Sequence, residues 1–319
     1  MQTVERYTEK EFLGAEFPDG EPVLEGLLYK GQNILLVAPQ KSAKTMLSMQ
    51  LGLSVAHGLP FLGKWQPPRA QRVLFVACEG TNDELQDMMK RQIRALDIQE
   101  DGKLVIVRTP YMHLNTASGE STLRGLVDSE RPDLLILDPL YRLHKGSVNN
   151  DDLVAESTAV LNDLGQRYGH ATWMPHHEHK ERHDQFGMAF EDRSSRYAGS
   201  WALGAWCSSM FGFQFAMKKK TASLSAYFER KPRLQETISL TLEDTEGQLL
   251  FHVGLHERLV VDINTAPEKI FGKGIAEAAT DYGQDKETFR RTLIKLQADG
   301  HLILVPGGPG RQTMIGAIT

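Results

Sequence analysis

Residues 33–45 read NILLVAPQKSAKT, and this stretch decides the fold. Asn33–Val37 is a short apolar run of the kind found in strands buried on both faces. After it come Ala38, Pro39, Gln40, Lys41, Ser42, Ala43, Lys44, Thr45 and Met46, with a helical pattern from about Lys44 to His57. A loop that ends a strand, opens a helix and closes on Lys-Thr has the place and form of a phosphate-binding loop. Its chemistry needs backbone N–H groups turned toward phosphate at a helix N-terminus. It also needs a lysine for the β- and γ-phosphates of ATP and a hydroxyl for Mg²⁺, roles that fall to Lys44 and Thr45. The two positions usually held by glycine carry alanine, Ala38 and Ala43. Alanine in a left-handed backbone costs on the order of 1 kcal/mol or more. The loop alone therefore leaves a generic strand–turn–helix open.

Outward from the loop, apolar runs alternate with helical patterns. Arg72–Cys78, Leu104–Val107, Leu134–Leu137 and Ala171–Met174 read as strands. After the first of these, Thr81 and Glu84 match a capping box, and Leu85, Met88, Met89, Gln92, Ile93 and Leu96 follow at helical spacing. Strands separated by helices predict an α/β fold with a mainly parallel sheet covered on both faces. From Ser208 the helices drop out, and Met210–Ala216, Ser223–Phe228 and Thr237–Leu242 predict an antiparallel extension of that sheet. Residues 1–25 read as an N-terminal arm and 26–262 as the core. Residues 263–319 read as a small winged-helix-like domain: two helices, over Gly274–Tyr282 and Asp285–Asp299, then two strands bracketing a Gly-Gly-Pro-Gly turn.

Composition narrows the class. The chain of 319 residues is 41% hydrophobic and 24% charged, ordinary for a globular protein. No run approaches the roughly 20 apolar residues of a membrane helix. The polar first residues read as no signal peptide, so the expectation is a cytoplasmic protein without a membrane partner. Two distant cysteines, Cys78 and Cys207, make no disulfide framework. A net charge of −5 argues against a protein coated with nucleic acid, though not against one that holds a strand through a few loops. Residues 268–319 carry seven Lys or Arg against six Asp or Glu, so the last domain is as suited to protein contacts as to DNA.

Three strand ends carry further candidates. Glu79, after the second strand, is placed to polarise a water facing a γ-phosphate. Leu134–Leu137 followed by Asp138 is the pattern of a Mg²⁺-holding aspartate. His176 and His177 close the next strand. The spacing of His176, His179 and His183 is a poor zinc signature, with no cysteine near and the residues split between strand end and loop. Read singly, each has a bland explanation as a solvated turn residue.

Together, in this order, the motifs resemble the RecA-like hexameric helicases of the plasmid RepA group and related phage replicative ATPases. The resemblance rests on Gly31–Phe61, VLFVACEG at 73–80, LLILDPLYRLHKGSVNNDDLV at 134–154, HHEHK at 176–180 and Arg230-Lys231-Pro232-Arg233. It covers about residues 20–240. It implies a RecA-like P-loop ATPase core that uses ATP and Mg²⁺, with Glu79 as general base and Asp138 at the metal. His176, with His177 beside it, would sense the γ-phosphate. Lys231 and Arg233 would reach into a neighbouring subunit's site in a homo-oligomer, a hexamer. Two loops, His144–Asp151 and His179–Ser200, would line a channel for single-stranded DNA, with Lys145, Lys180, Arg182, Arg193 and Arg196 as phosphate contacts. The activity implied is that of a replicative DNA helicase. A recombination or loading ATPase without unwinding, and a ring weakened in catalysis, stand as alternatives.

Overall fold

The computed structural model describes residues 6–16, 20–99, 102–147, 149–178, 201–230, 234, 237–282, 286–307 and 312–318. A short helix α1 (Glu9–Gly14) and a hairpin of β1 (Pro22–Leu24) and β2 (Leu28–Tyr29) precede the central element β3 (Asn33–Ala38). The chain continues through α2 (Lys44–His57), β4 (Val73–Ala77), α3 (Asn82–Ala95), β5 (Leu104–Arg108), α4 (Ala117–Glu130) and β6 (Leu134–Asp138). Next come α5 (Asp151–Tyr168), β7 (Ala171–His177), α6 (Trp201–Trp206), β8 (Ser209–Ala216), β9 (Thr221–Glu229), β10 (Ile238–Asp244) and β11 (Leu249–Val253). The last part holds α7 (Leu255–Thr265), α8 (Ile275–Asp281), α9 (Lys286–Ala298), β12 (Ile303–Val305) and β13 (Met314–Gly316).

Among the described residues nine strands form one sheet in the order β11-β10-β9-β8-β3-β7-β6-β4-β5. Pairing is parallel from β8 to β5 and antiparallel from β8 to β11. This is the RecA-like arrangement, a parallel sheet extended by antiparallel strands. The continuous apolar strands follow from burial on both faces. Ile34, Leu36, Phe75, Ile136 and Trp173 point into the core under α2 and α3, while Leu35, Val37, Leu74, Val76, Leu137 and Met174 join the core under α4, α5 and α6.

The helix that follows the phosphate loop is buried almost throughout, and three polar side chains fasten it. Trp173 Nε1 donates to Ser48 Oγ at 3.0 Å, and Gln92 Nε2 to the Met46 carbonyl at 2.9 Å. Gln50 exchanges two bonds with the backbone of Phe251, at 2.5 and 2.9 Å, which ties α2 to β11. Buried amides of this kind cost several kcal/mol unless satisfied, so these contacts fix the helix axis that aims the loop. The N-terminal segment is not wholly apart: Val23 and Leu24 are buried in the core, while every residue of α1 lies outside it.

After β11 the chain builds a separate apolar cluster from α7, α8, α9 and the β12–β13 hairpin. Phe289, Leu293 and Leu296 face inward from α9, with Arg290, Arg291 and Lys295 exposed. The helices and strands fall where the sequence places them. The seam differs: α7 runs through residue 262 and its Leu259 belongs to this second core. No helix among the described residues is long and apolar enough to cross a membrane.

Candidate functional site

The loop between β3 and α2 folds into a concave nest. Lys41 and Ala43 have left-handed backbones, with φ of 56° and 60°, on either side of Ser42. Alternation of this kind turns successive N–H groups to one side and makes an anion-binding hollow. The helix that opens at Lys44 has no side-chain cap, so its first-turn amides and its dipole face the loop. Ser42 Oγ closes the turn on the Pro39 carbonyl at 2.6 Å.

The two alanines differ. Ala38 is the last residue of β3 and extended, so glycine has no advantage there. The conformational cost expected at both positions falls on Ala43 alone, about 1–2 kcal/mol for a left-handed alanine. Ala43→Gly should therefore leave turnover equal to the parent or higher, with relief of strain set against the added entropy of the unfolded chain. Initial rates of ATP hydrolysis check this, and a large loss would show that the methyl group is needed.

Lys44 is buried to 7% exposure, and its ammonium donates to the loop's own carbonyls, Pro39 at 2.7 Å and Ala38 at 3.4 Å. Burial holds its pKa below the usual lysine value, against the pull of Asp138 and Glu79. The Asp138 carboxyl, at the end of β6, is pushed up to about 6, chiefly by burial; the Glu79 charge adds to the rise, while the Thr45 hydroxyl donated to it and the Lys44 charge oppose it. Ala77 pairs with Asp138 across β4 and β6, and the Cys78 N–H donates to the Asp138 carbonyl at 2.8 Å. That register sets Glu79 beside Asp138, partly open to solvent. A half-neutralised buried carboxylate with a hydroxyl donor and a second carboxylate in reach fits a divalent cation held mainly by phosphate and water.

The histidine pair splits across the strand. Val37 pairs with His176 and Ala38 with His177. His176 is 1% exposed. His177 is half-buried, stacks on Tyr141 with ring centroids 5.3 Å apart, and stands within reach of the Lys44 charge. Burial and that charge drive its pKa down to about 4, so it is neutral near pH 7. Of the two, His177 is the one that faces the loop. The Glu178 N–H then donates to the Ala38 carbonyl at 2.9 Å, which locks β7 against the root of the loop.

Two arginines near the site carried no sequence signal beyond their place at strand or turn ends. Arg108, closing β5, donates through Nη2 to the Gly80 carbonyl next to Glu79. Arg142 lies on the turn after Asp138. Lys145 is exposed on the segment that follows. Lys180, Arg182, Arg193, Arg196, Lys231 and Arg233 lie outside the described residues, as do His179 and His183.

A nest at the root of an uncapped helix, with Lys44, Thr45 and Asp138 converging, defines a RecA-like P-loop ATPase core. The family model described as an AAA domain, AAA_25, matches residues 3–183, more than half of the chain, and the chain belongs to that family. Among solved structures it is similar to an isolated ATPase domain, with a TM-score of 0.51 at 12% identity, over 70% of this chain and 85% of that one. Weaker likenesses are a RadB recombinase (TM-score 0.46, 14% identity, 70% of this chain and 91% of that one) and the KaiC-like protein PH0186 of Pyrococcus horikoshii OT3 (TM-score 0.46, 14% identity, 72% and 93%). A search of curated protein sequences finds no match.

Proposed function

We propose that the chain is an ATP-dependent motor on single-stranded DNA, working as a homohexameric helicase of the replicative type. The observation that carries it is the gathering of Lys44, Thr45, Glu79, Asp138 and His177 at one edge of the sheet, with an exposed basic turn, Arg142 to Lys145, leaving the same edge. The residues 38–46 cradle the triphosphate, and Lys44 exchanges its carbonyl partners for phosphate oxygens. Thr45 and Asp138 hold Mg²⁺, which supplies charge neutralisation at the phosphates when bound. Glu79 accepts the proton of the attacking water. His177, neutral and beside Lys44, reports the state of the γ-phosphate to β7 and to the segment 179–200 that follows it. Lys231 and Arg233 complete the site of the next subunit. Lys145, Lys180, Arg182, Arg193 and Arg196 contact the strand, and 255–319 form a winged-helix-like unit at the ring's rim.

A second reading, a nucleotide-binding ring weakened in catalysis, draws on the left-handed Ala43. Turnover of ATP measured with and without single-stranded DNA separates them, together with displacement of one strand from a forked duplex. The expected result is hydrolysis that rises with added strand, and displacement that stops without ATP. Hydrolysis without displacement would favour a recombination or loading ATPase, and no hydrolysis the weakened ring.

A further inference from the structure

The five residues Tyr111-Met112-His113-Leu114-Asn115 connect β5 to α4 and alternate inside and out. Met112 and Leu114 are 4% and 1% exposed and pinned in the core under α4. Tyr111 is 57% exposed and His113 partly so. Their rings stack nearly parallel, 4.8 Å between centroids at 15°. One exposed tyrosine is ordinary on a protein surface. Two rings held parallel by a backbone buried at the intervening positions are a preformed flat surface instead.

That surface is bonded to the turn after Asp138. Met112 N–H donates to the Arg142 carbonyl at 3.0 Å, and Leu114 N–H to that of Leu143 at 2.7 Å. The Asn115 side chain clamps the backbone of Lys145 on both sides, accepting from its N–H at 2.8 Å and donating to its carbonyl at 3.0 Å. Two exposed cations, Arg142 and Lys145, are therefore fixed alongside the ring pair. At its other end the segment meets the hydrolytic site: the Thr109 N–H donates to the Ala77 carbonyl at 3.1 Å, and Arg108 holds the carbonyl of Gly80 beside Glu79.

We propose that Tyr111 and His113 form a platform on which bases of a single strand stack, with Arg142 and Lys145 on the flanking phosphates. Aromatic faces and cations in alternation are the chemistry of sequence-tolerant single-strand binding, because every base offers a π-face and every linkage a charge. The inference deepens the motor reading and rests on it. It adds a contact on the turn before α4, outside the two loops that follow β6 and β7. It also gives the strand a short path to Glu79, through Thr109 and Arg108.

The test is fluorescence anisotropy of the full chain with a labelled oligo-dT and with an abasic strand of equal length. Wild-type protein should prefer oligo-dT. Tyr111→Ala should bind oligo-dT about five- to a hundredfold more weakly, the range of one lost base–aromatic stack, and the abasic strand about as before. Tyr111→Phe, which keeps the ring, should stay within about twofold of wild type. Equal oligo-dT affinity of Tyr111→Ala and wild type would overturn the platform, as would equal losses on both strands, which would mark a folding role. Loss in Tyr111→Phe matching that in Tyr111→Ala would assign the effect to the hydroxyl and also overturn it. So would wild-type binding that ignores the bases. Wild-type protein that binds neither strand would sink the motor reading itself, an outcome distinct from all of these.

Discussion

Glu79→Gln should bind ATP as the parent does and lose about 10²- to 10⁴-fold in turnover, the usual worth of a general base. The carboxylate lies at the tip of β4, where Ala77 and Asp138 stand in register, and its charge reaches both Lys44 and Asp138. Glutamine keeps the shape and packing of that position and gives up the lone-pair basicity, so the change removes proton acceptance without opening the fold. It also removes a negative charge that raises the Asp138 pKa. Asp138 should then ionise at lower pH, and nucleotide binding in the presence of Mg²⁺ should hold or tighten. Lys44→Ala makes the contrasting control: without the ammonium, the buried Asp138 carboxylate loses its nearest counter-charge and the phosphates their cation, and binding itself should fail. Equilibrium binding of a fluorescent nucleotide beside steady-state turnover distinguishes the two. Equal turnover by Glu79→Gln and the parent would remove Glu79 from its role.

Much of this was legible in the sequence because the signals are local. Thr81 and Glu84 do form a reciprocal cap, Thr81 N–H to Glu84 at 2.8 Å and Glu84 N–H to Thr81 at 3.4 Å, since that motif needs only three intervening bonds of helix. The parallel strands announce themselves by unbroken apolar runs, and Asp138 and Glu79 by ending two of them. What stayed hidden depends on distant contacts or on backbone angles. Leu249–Val253 does not read as a strand until Gln50, 201 residues earlier, bonds both sides of Phe251. A sequence cannot assign the left-handed turn to Ala43 and spare Ala38, because the register of the nest against β3 decides it. The same holds for the histidines: strand alternation says that His176 and His177 face opposite ways, and only the packing of Tyr141 and Lys44 says which way is which. Arg108 and Tyr111 gave no motif at all; their roles come from neighbours brought by the sheet order β6-β4-β5.

Arg233→Ala subunits should turn over ATP at least ~10³-fold more slowly than the parent, the usual cost of a lost phosphoryl-transfer arginine, yet still bind nucleotide through the loop at 38–46. The loop of one subunit and the arginine of the next are proposed to make one site, so the defect is expected to be complemented across an interface. Mixed with Lys44→Ala subunits, they should regain activity. In a random equal mixture about a quarter of the head-to-tail interfaces of a ring join an intact loop to an intact arginine. Against a ~10³-fold defect, recovery on that scale stands far above either parent variant. The rise should appear only after subunits exchange, which sizing of a mixture of tagged and untagged chains can follow in parallel. A chain whose Arg233 serves its own nucleotide has no such interface, and its mixtures should show the average of two inactive proteins. No recovery despite verified exchange would detach Arg233 from the neighbouring site. The motor would then have to find its transition-state cation within the subunit, where Arg108 and Arg142, at the ends of the strands that carry Glu79's partners, are the nearest described candidates.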